Sequence, residues 1–174
     1  MEQSSLELRP TAGHYVLTYG IVVLLWLLLA GSLRQDEIIA ALLVGAIVTA
    51  LMIPRMSIMA GVRLSPSAPL ALLAYLVTFT GALIRANLDV ARRVLSPSLP
   101  IRPAVVEVRT GLQSPLGKLL LANSITLTPG TLSVDLQDDR LLVHWIDCPP
   151  GSDMASATRA IAESFEHHIS GFLK

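Results

Sequence analysis

Apolar runs dominate the first hundred residues of this chain, and alternating apolar and polar positions follow them. The first run, Tyr15 to Leu33, and the second, Ile38 to Ile53, hold no Asp, Glu, Lys, Arg or His. A helix needs about 20 apolar residues to cross roughly 30 Å of hydrocarbon, so the first run suffices and the second is short. Four polar residues, Arg34 to Glu37, separate the two runs. The pattern predicts an antiparallel hairpin of two membrane spans.

A third apolar run, Pro69 to Ile84, is compatible with two placements relative to the membrane. It is about 24 Å long as a helix, which is marginal for crossing a membrane. It continues as an amphipathic helix to Leu95, with Arg85, Asp89 and Arg93 recurring along one side. If this helix spanned after a two-span hairpin, its last arginines would face outward, against the positive-inside rule. We therefore favour a partly embedded helix over about 69–95 and keep a spanning helix as the alternative.

Small residues on the second run indicate a face where helices pack closely. Gly45, Ala46, Thr49 and Ala50 would let two helix backbones approach each other in lipid. We therefore expect this face to touch another helix.

The last third of the chain predicts a small α/β domain. A proline-rich linker, 96–103, separates a membrane domain at 14–95 from this domain at 104–174, and a polar head occupies 1–13. Alternation at Ala104–Val108 predicts a strand, and Ser114–Pro115 is a good start for a helix. Two further strands and a final helix follow at 131–137, 140–147 and from about 154, the last capped by Ser152 or Asp153. The predicted order is β-α-β-β-α, with helices covering one face of the sheet.

The stretch from Leu119 to Leu136 has the most specific pattern. A helical turn at Leu119–Ala122 gives way to alternation from Ser124 to Thr128. Pro129–Gly130 suits the two central positions of a type II turn. Leu132, Val134 and Leu136 then alternate with polar residues, which predicts a strand that buries these three side chains. A Thr-rich segment before Pro-Gly can form a phosphate or ion loop, but a structural turn is the commoner outcome.

This stretch resembles the E subunit of the multisubunit Na+/H+ antiporter of the Mrp or Mnh type. The resemblance is carried by residues 120–123, 125–132 and 134–135, and by a second match at 86–90 and 100–103. It implies a family signature with a structural or interface role, at Asn123, Thr126, Thr128, Pro129, Gly130 and Thr131. It also implies an accessory subunit of a monovalent cation/proton antiporter in the bacterial plasma membrane. The implied partners are large proton-channel subunits and small membrane subunits.

Composition and charge bear on nucleic-acid binding, on disulfide formation and on the orientation of the chain in the membrane. Apolar residues make up 52% of the chain, charged residues 15%, and the formal net charge is zero, so no bulk charge favours nucleic acid. The one cysteine, Cys148, excludes an internal disulfide. Arginines are concentrated after the second run, which predicts an outward-facing turn at Arg34 and cytoplasmic placement of both termini and the α/β domain.

Candidate chemistry is sparse. A chain that moved sodium or protons by itself would need ionisable groups within its spans, and neither predicted span holds one. Arg85 and Asp89 are candidates for an ion path or, preferably, for a solvated interfacial face. Glu163 and His167 have helical spacing for a metal, but a solvated face is the commoner outcome. The sequence therefore predicts no catalytic, cofactor or metal site, and leaves a free-standing membrane-anchored binding module with a cytoplasmic recruitment domain as the second hypothesis.

Overall fold

The chain divides into two compact units, one ending at Leu64 and one beginning at Ser65. The structure is a computed structural model that describes residues 9–98 and 100–174, so most of the predicted polar head lies outside the described residues. The first unit contains α1 (Ala12–Ala30) and α2 (Gln35–Leu51). Two 3-10 turns follow, Ile53–Arg55 and Met59–Gly61. These elements confirm the two apolar helices that the sequence predicts.

The two helices of the first unit touch at a glycine. A Cβ atom added to Gly45 would lie 2.8 Å from a side-chain carbon of Val23 on α1, so only glycine permits this approach. The prediction of a small-residue contact is confirmed at Gly45, whereas Ala46 and Ala50 are exposed and line a groove with Tyr15 and Tyr19 of α1. Ala41, one turn before Gly45, is fully buried instead. The contact face follows the i, i+4 spacing of one helical row.

The second unit starts with a long helix and continues into the α/β domain. The helix α3 spans Ala68–Leu95. The domain consists, in order, of β1 (Ala104–Arg109), α4 (Pro115–Leu127), β2 (Thr131–Gln137), β3 (Arg140–Trp145), α5 (Met154–Ile161) and α6 (Glu163–Ile169). The predicted β-α-β-β order is confirmed. The predicted single final helix is in fact two short helices, because the backbone departs from helical geometry at Ala162, where φ is −109°.

The sheet is open and antiparallel, with strand order β1-β3-β2. Its two outer strands, β1 and β2, are therefore edge strands. Ser114 caps α4 by accepting a hydrogen bond from the Gly117 N–H, and Asp153 caps α5 through the Ser156 N–H. The core lies between the inner sheet face and the helices, and its fully buried large side chains are Leu121, Ile125, Leu141, Ile169, Val108 and Val143.

The strand β2 turns its apolar side chains outward, contrary to the prediction. Leu132 is 49% exposed and Val134 is 57% exposed. Ser133 occupies the inner position opposite buried Val143, and its hydroxyl donates to the Ala122 carbonyl of α4. A β-bulge between Ser133 and Asp135 then shifts the register. The helix above this end of β2 offers a hydrogen-bond acceptor, which explains why a serine faces inward.

The alternation from Ser124 to Thr128 does not mark extended backbone, since α4 continues to Leu127. The hydroxyl of Ser124 donates to the Leu120 carbonyl, and that of Thr128 donates to the Ser124 carbonyl. These are bonds to the carbonyl four residues earlier, which hydroxyl side chains form within helices. The polar positions are therefore compatible with a helix.

Two of the described helices, α1 and α3, are long and apolar enough to cross a membrane by length and composition. The helix α2 has 17 residues, about 26 Å at 1.5 Å per residue. The length of α2 is therefore smaller than the thickness of the hydrocarbon core, which is roughly 30 Å.

Candidate functional site

The Pro129–Gly130 turn has the predicted type II geometry. The Thr131 N–H donates to the Thr128 carbonyl over 3.2 Å, and Gly130 has a φ of 98°. This positive φ favours glycine. A Cβ atom at Gly130 would also lie 3.0 Å from the Ile146 side chain. Both backbone conformation and space therefore favour glycine at this position.

Hydrogen bonds tie the turn to its neighbours on both sides. The Thr131 hydroxyl lies within hydrogen-bond distance of the Ile125 carbonyl at 2.7 Å, at the end of α4. The Ile146 N–H donates to the Gly130 carbonyl at 2.8 Å, beyond the end of β3. The turn thereby fixes the end of α4 against the end of β3.

Two other residues of the predicted signature lie on the outside of α4. The Thr126 hydroxyl accepts a hydrogen bond from the Ser133 N–H at 3.1 Å, which holds β2 against α4. The Asn123 side chain is exposed, and the structure gives it no hydrogen-bond partner within the described residues. Leu119 and Leu127, four residues to either side of Asn123, are 54% and 59% exposed. This outer row of α4 is an uncovered, mostly apolar surface.

A network of charged side chains closes the end of α3. Arg93 contacts Asp89 at 2.6 Å and Asp147 at 2.8 Å. Arg102 contacts the second carboxylate oxygen of Asp147 at 2.9 Å. The hydrogen bonds from Arg102 and Arg93 hold the pKa of the Asp147 carboxyl below its usual value. Asp147 is thus shared between the helix and the linker that follows it.

The sequence predicted only part of this network. Arg85, Asp89 and Arg93 are spaced four residues apart, which favours ion pairs between neighbours on a helix. The Asp89–Arg93 pair is present, whereas an Arg85–Asp89 pair is not among the ion pairs within the described residues. Asp147 and Arg102 were missed. They are 45 residues apart in the chain, and only the fold brings them together.

A cleft of about 450 Å³ brings the two groups of predicted residues together. Arg85 and Asp89 line it from α3, and Thr128 to Thr131 line it from the turn. Asn123 and Thr126 do not line it. The two carboxylates in the cleft, Asp89 and Asp147, are both bonded to Arg93.

The other candidate residues, Glu163 and His167, lie on α6, where His168 follows them. His168 lies within hydrogen-bond distance of the Ser164 carbonyl and of the Thr78 hydroxyl. No three His, Cys, Asp or Glu side chains come together as metal ligands in the described part of the chain.

Comparison with known proteins decides the family. The family model described as "Na+/H+ ion antiporter subunit" (MNHE) matches residues 20–171. The chain belongs to this family. Members of this antiporter-subunit family are transporter components, and the relatives described below belong to membrane systems, so this chain is a membrane protein.

Curated relatives match the chain over part of their length. The E subunit of the Na+/H+ antiporter of Alkalihalophilus pseudofirmus is 42% identical over 101 residues, which are 57% of this chain and 62% of that protein. The E subunit of the Na+/H+ antiporter of Bacillus subtilis is 42% identical over 93 residues, 52% of this chain and 57% of that protein. The chain therefore matches about three fifths of the length of these relatives.

A solved structure extends the likeness to nearly the whole chain. A chain of the membrane-bound sulfane sulfur reductase, an archaeal respiratory membrane complex, is 38% identical and superposes with a TM-score of 0.77. The likeness covers 90% of this chain and 96% of that one. The antiporter-subunit fold is thus also present in a respiratory complex.

Proposed function

We propose that this chain is an accessory subunit of a multisubunit Na+/H+ antiporter in the prokaryotic plasma membrane. The observation that carries the proposal is the family match over residues 20–171. The absence of Asp, Glu, Lys, Arg and His from Tyr15–Leu33 and Ile38–Ile53 supports an accessory role. Ion transport needs such groups within the membrane, so large partner subunits would carry the ion path.

The charges in the cleft support a structural role for Asp89 over ion binding. A bound cation needs carboxylate or carbonyl oxygens that are free to coordinate it. Both carboxylates in the cleft are neutralised by arginine, since Arg93 contacts each of them and Arg102 contacts Asp147. The network therefore holds α3, the linker and the segment after β3 together.

The signature turn, in this proposal, orients the α/β domain for contact with partner subunits. Its residues fix α4 against β3, and α4 presents the exposed row of Leu119, Asn123 and Leu127. A partner surface that covers this row would bury two leucines and pair the Asn123 amide. The large proton-channel subunits and the small membrane subunits are the expected partners.

The domain is proposed to lie in the cytoplasm. Arg85, Arg92 and Arg93 lie at the end of α3 next to the domain, and Arg102 follows in the linker. The positive-inside rule places such a concentration of arginine on the cytoplasmic side.

A second candidate function follows from the solved structure. The 38% identity and the TM-score of 0.77 to a chain of a respiratory membrane complex favour a subunit of such a complex as the alternative. Both candidates make the chain part of a larger assembly. The family match thus favours either of them over a free-standing binding module.

A complementation experiment tests the antiporter proposal. The chain would be expressed with the other antiporter subunits from its genome in a host that lacks its own Na+/H+ antiporters. We expect sodium-dependent proton exchange in membrane vesicles with the full set, and none with this chain alone. Exchange by the other subunits at full rate without this chain would contradict an accessory role, and co-purification with redox subunits would favour the respiratory alternative.

The Gly130→Ala variant tests the role of the turn in the same host. Its positive φ and the 3.0 Å approach to Ile146 predict a loss of about 1 kcal/mol or more of domain stability. We expect less assembled complex on native gels and a proportional loss of exchange. The control is Gly151→Ala, which alters another glycine with positive φ (77°) in open space, away from the turn.

Normal assembly of Gly130→Ala with an altered apparent affinity for sodium would place the turn in the ion path and contradict the proposal. Equal losses of assembled complex in both glycine variants would show that the effect comes from general instability of the domain and not from the turn.

A further inference from the structure

The helix α3 contacts the α/β domain in its first half and again at its end. Near its start, a Cβ atom added to Gly171 would lie 2.6 Å from the Ala71 side chain. One turn further, the Tyr75 hydroxyl is 2.8 Å from the Ser124 hydroxyl. At its end, Arg93 contacts Asp147. These contacts span about 22 residues, about 33 Å of helix at 1.5 Å per residue.

Further contacts lie in the first half of the helix, and beyond them the cleft lined by Arg85 and Asp89 lies between α3 and the domain. The Tyr75 ring lies 5.7 Å from the Phe172 ring, and the Phe79 ring lies 6.3 Å from the Phe165 ring. Thr78 lies 3.3 Å from the His168 ring. Each turn of the first half of α3 therefore meets a side chain of the domain.

This attachment is incompatible with a helix that crosses the membrane. The first and last of these contacts are about 33 Å apart along the helix, which is slightly more than the thickness of the hydrocarbon core, roughly 30 Å. A crossing helix would carry the domain into the lipid, together with the open edges of β1 and β2. Unpaired strand edges exposed to lipid do not occur in the hydrocarbon region, because their N–H and C=O groups would lack partners.

The side of α3 opposite the domain is apolar from one end to the other. Its exposed side chains recur at helical spacing, and they are Leu73, Val77, Ile84, Leu88 and Leu95, which are 57%, 66%, 56%, 54% and 83% exposed. We call these five residues the outer stripe. Two exposed arginines lie on one side of the outer stripe, about two turns apart: Arg92, and Arg85, which also lines the cleft. An apolar stripe flanked by arginine is typical of helices that lie in the membrane interface.

We propose that α3 is an in-plane helix that binds the surface of an anionic phospholipid bilayer. The outer stripe enters the boundary between headgroups and acyl chains, and Arg85 and Arg92 face headgroup phosphates. The domain then lies in water above the bilayer. Lipid is the occupant that the charge pattern favours, because the flanking arginines match anionic headgroups and the stripe runs the full length of the helix.

Spin-label depth measurements test this proposal on the full chain. In a Cys148→Ser background, single cysteines would replace Leu73, Val77, Ile84 and Leu88, and each would carry a nitroxide label. The proteins would be reconstituted in vesicles of phosphatidylcholine and phosphatidylglycerol. Collision rates with oxygen and with a water-soluble nickel chelate then give the depth of each label. We expect all four labels at the same shallow depth, about 5–10 Å below the headgroups.

The helix α1 provides the matched control. Labels at Val16, Leu24 and Leu28, which are 70%, 57% and 68% exposed, should differ in depth by about 1.5 Å per residue along the helix. A depth gradient of that size along α3, with its maximum between Val77 and Ile84, would overturn the proposal. Labels on α3 shielded from both oxygen and the nickel chelate would also overturn it, since protein would then cover the stripe.

A second experiment tests whether Arg85 and Arg92 recognise anionic lipid. Vesicles of phosphatidylcholine alone should let the label at Leu88 move toward water, because Arg85 and Arg92 lose their anionic partners. The Arg85→Gln and Arg92→Gln double variant should show the same shift in anionic vesicles, and Arg34→Gln should not. Equal depth at Leu88 under all these conditions would contradict recognition of anionic lipid.

Discussion

The helices α1 and α3 have similar composition and different surroundings. Both are long and apolar enough to cross a membrane. In α1 the polar contacts join the helix to α2 and to the segment after it: the Tyr19 hydroxyl donates to the Leu42 carbonyl, the Trp26 indole donates to Glu37, and His14 lies within hydrogen-bond distance of the Val62 carbonyl. In α3 polar contacts to the domain occur in the first half, through Tyr75 and Thr78, and at the end, through Arg93.

This difference shows that length and apolar composition do not distinguish a membrane span from a surface helix. The two are distinguished by the side chains that contact the rest of the protein. A helix that packs on another apolar helix can cross the membrane together with it. A helix that is joined to a polar domain near its start and at its end can expose only the opposite face to lipid.

The largest expected effect comes from removing the central contact of α3. Tyr75 is 6% exposed, stacks near Phe79 and shares a hydrogen bond with Ser124. Tyr75→Ala should lower the free energy of unfolding by about 3 kcal/mol, as large aromatic truncations in cores do. Thermal or denaturant unfolding of the full chain in mild detergent measures this loss.

Leu73→Ala is the matched control, since Leu73 lies on the outer stripe of the same helix. Its stability in detergent should change by less than about 0.5 kcal/mol. Equal losses of stability in the two variants would contradict the expected difference between the two faces of α3.

A smaller effect is expected at the contact between α1 and α2. Gly45→Leu forces a side chain into a space where even a Cβ atom meets Val23 at 2.8 Å. Overpacking of this kind costs about 1–3 kcal/mol. Ala46→Leu, at an exposed position beside it, should cost little. Thermal unfolding in detergent, compared between the two variants, would show whether Gly45 fixes the hairpin.

The sequence predicts the elements well because each has a local cause. Charge-free runs give the apolar helices, Ser114 and Asp153 start two helices, and Pro129–Gly130 gives the turn. These signals depend on neighbouring residues and not on the rest of the fold. Element order and turn geometry can therefore be predicted from short stretches of sequence.

The missed features are those that depend on distant residues. The burial side of β2 is reversed because Ser133 finds an acceptor on α4 and a bulge follows. The pairing of Arg102 with Asp147 joins the linker to the end of β3. Neither can be read from a local pattern. The cleft at the candidate site is likewise a product of the fold, although the residues on two of its sides were predicted individually.

The effect of pH should be the smallest and confined to acid. Because the pKa of Asp147 is lowered in the folded chain, its ion pairs stabilise the protein above the usual carboxyl pKa, about 4. That contribution is lost as pH falls through the lowered value. Asp147→Asn should therefore lose less stability than the wild type between about pH 5 and pH 3. Denaturant unfolding of both proteins across this pH range measures the difference in stability loss.

Glu107→Gln is the control for this titration, since Glu107 pairs with Arg140 on the open sheet face. It should follow the acid dependence of the wild type more closely than Asp147→Asn does. An acid response of Asp147→Asn identical to that of the wild type would show that the network at the end of α3 does not contribute to folding stability.

The most direct test of the contrast between α1 and α3 is a two-site labelling experiment on intact cells. Cys148 reports the side of the α/β domain, and Ser57→Cys in a Cys148→Ser background reports the exposed segment between α2 and α3. A membrane-impermeant thiol reagent would be applied before and after the cells are opened. We expect both cysteines to react only after opening, because α3 does not cross the membrane. Reaction of the Ser57→Cys variant in intact cells, while Cys148 stays protected, would show that α3 crosses and would contradict its in-plane placement.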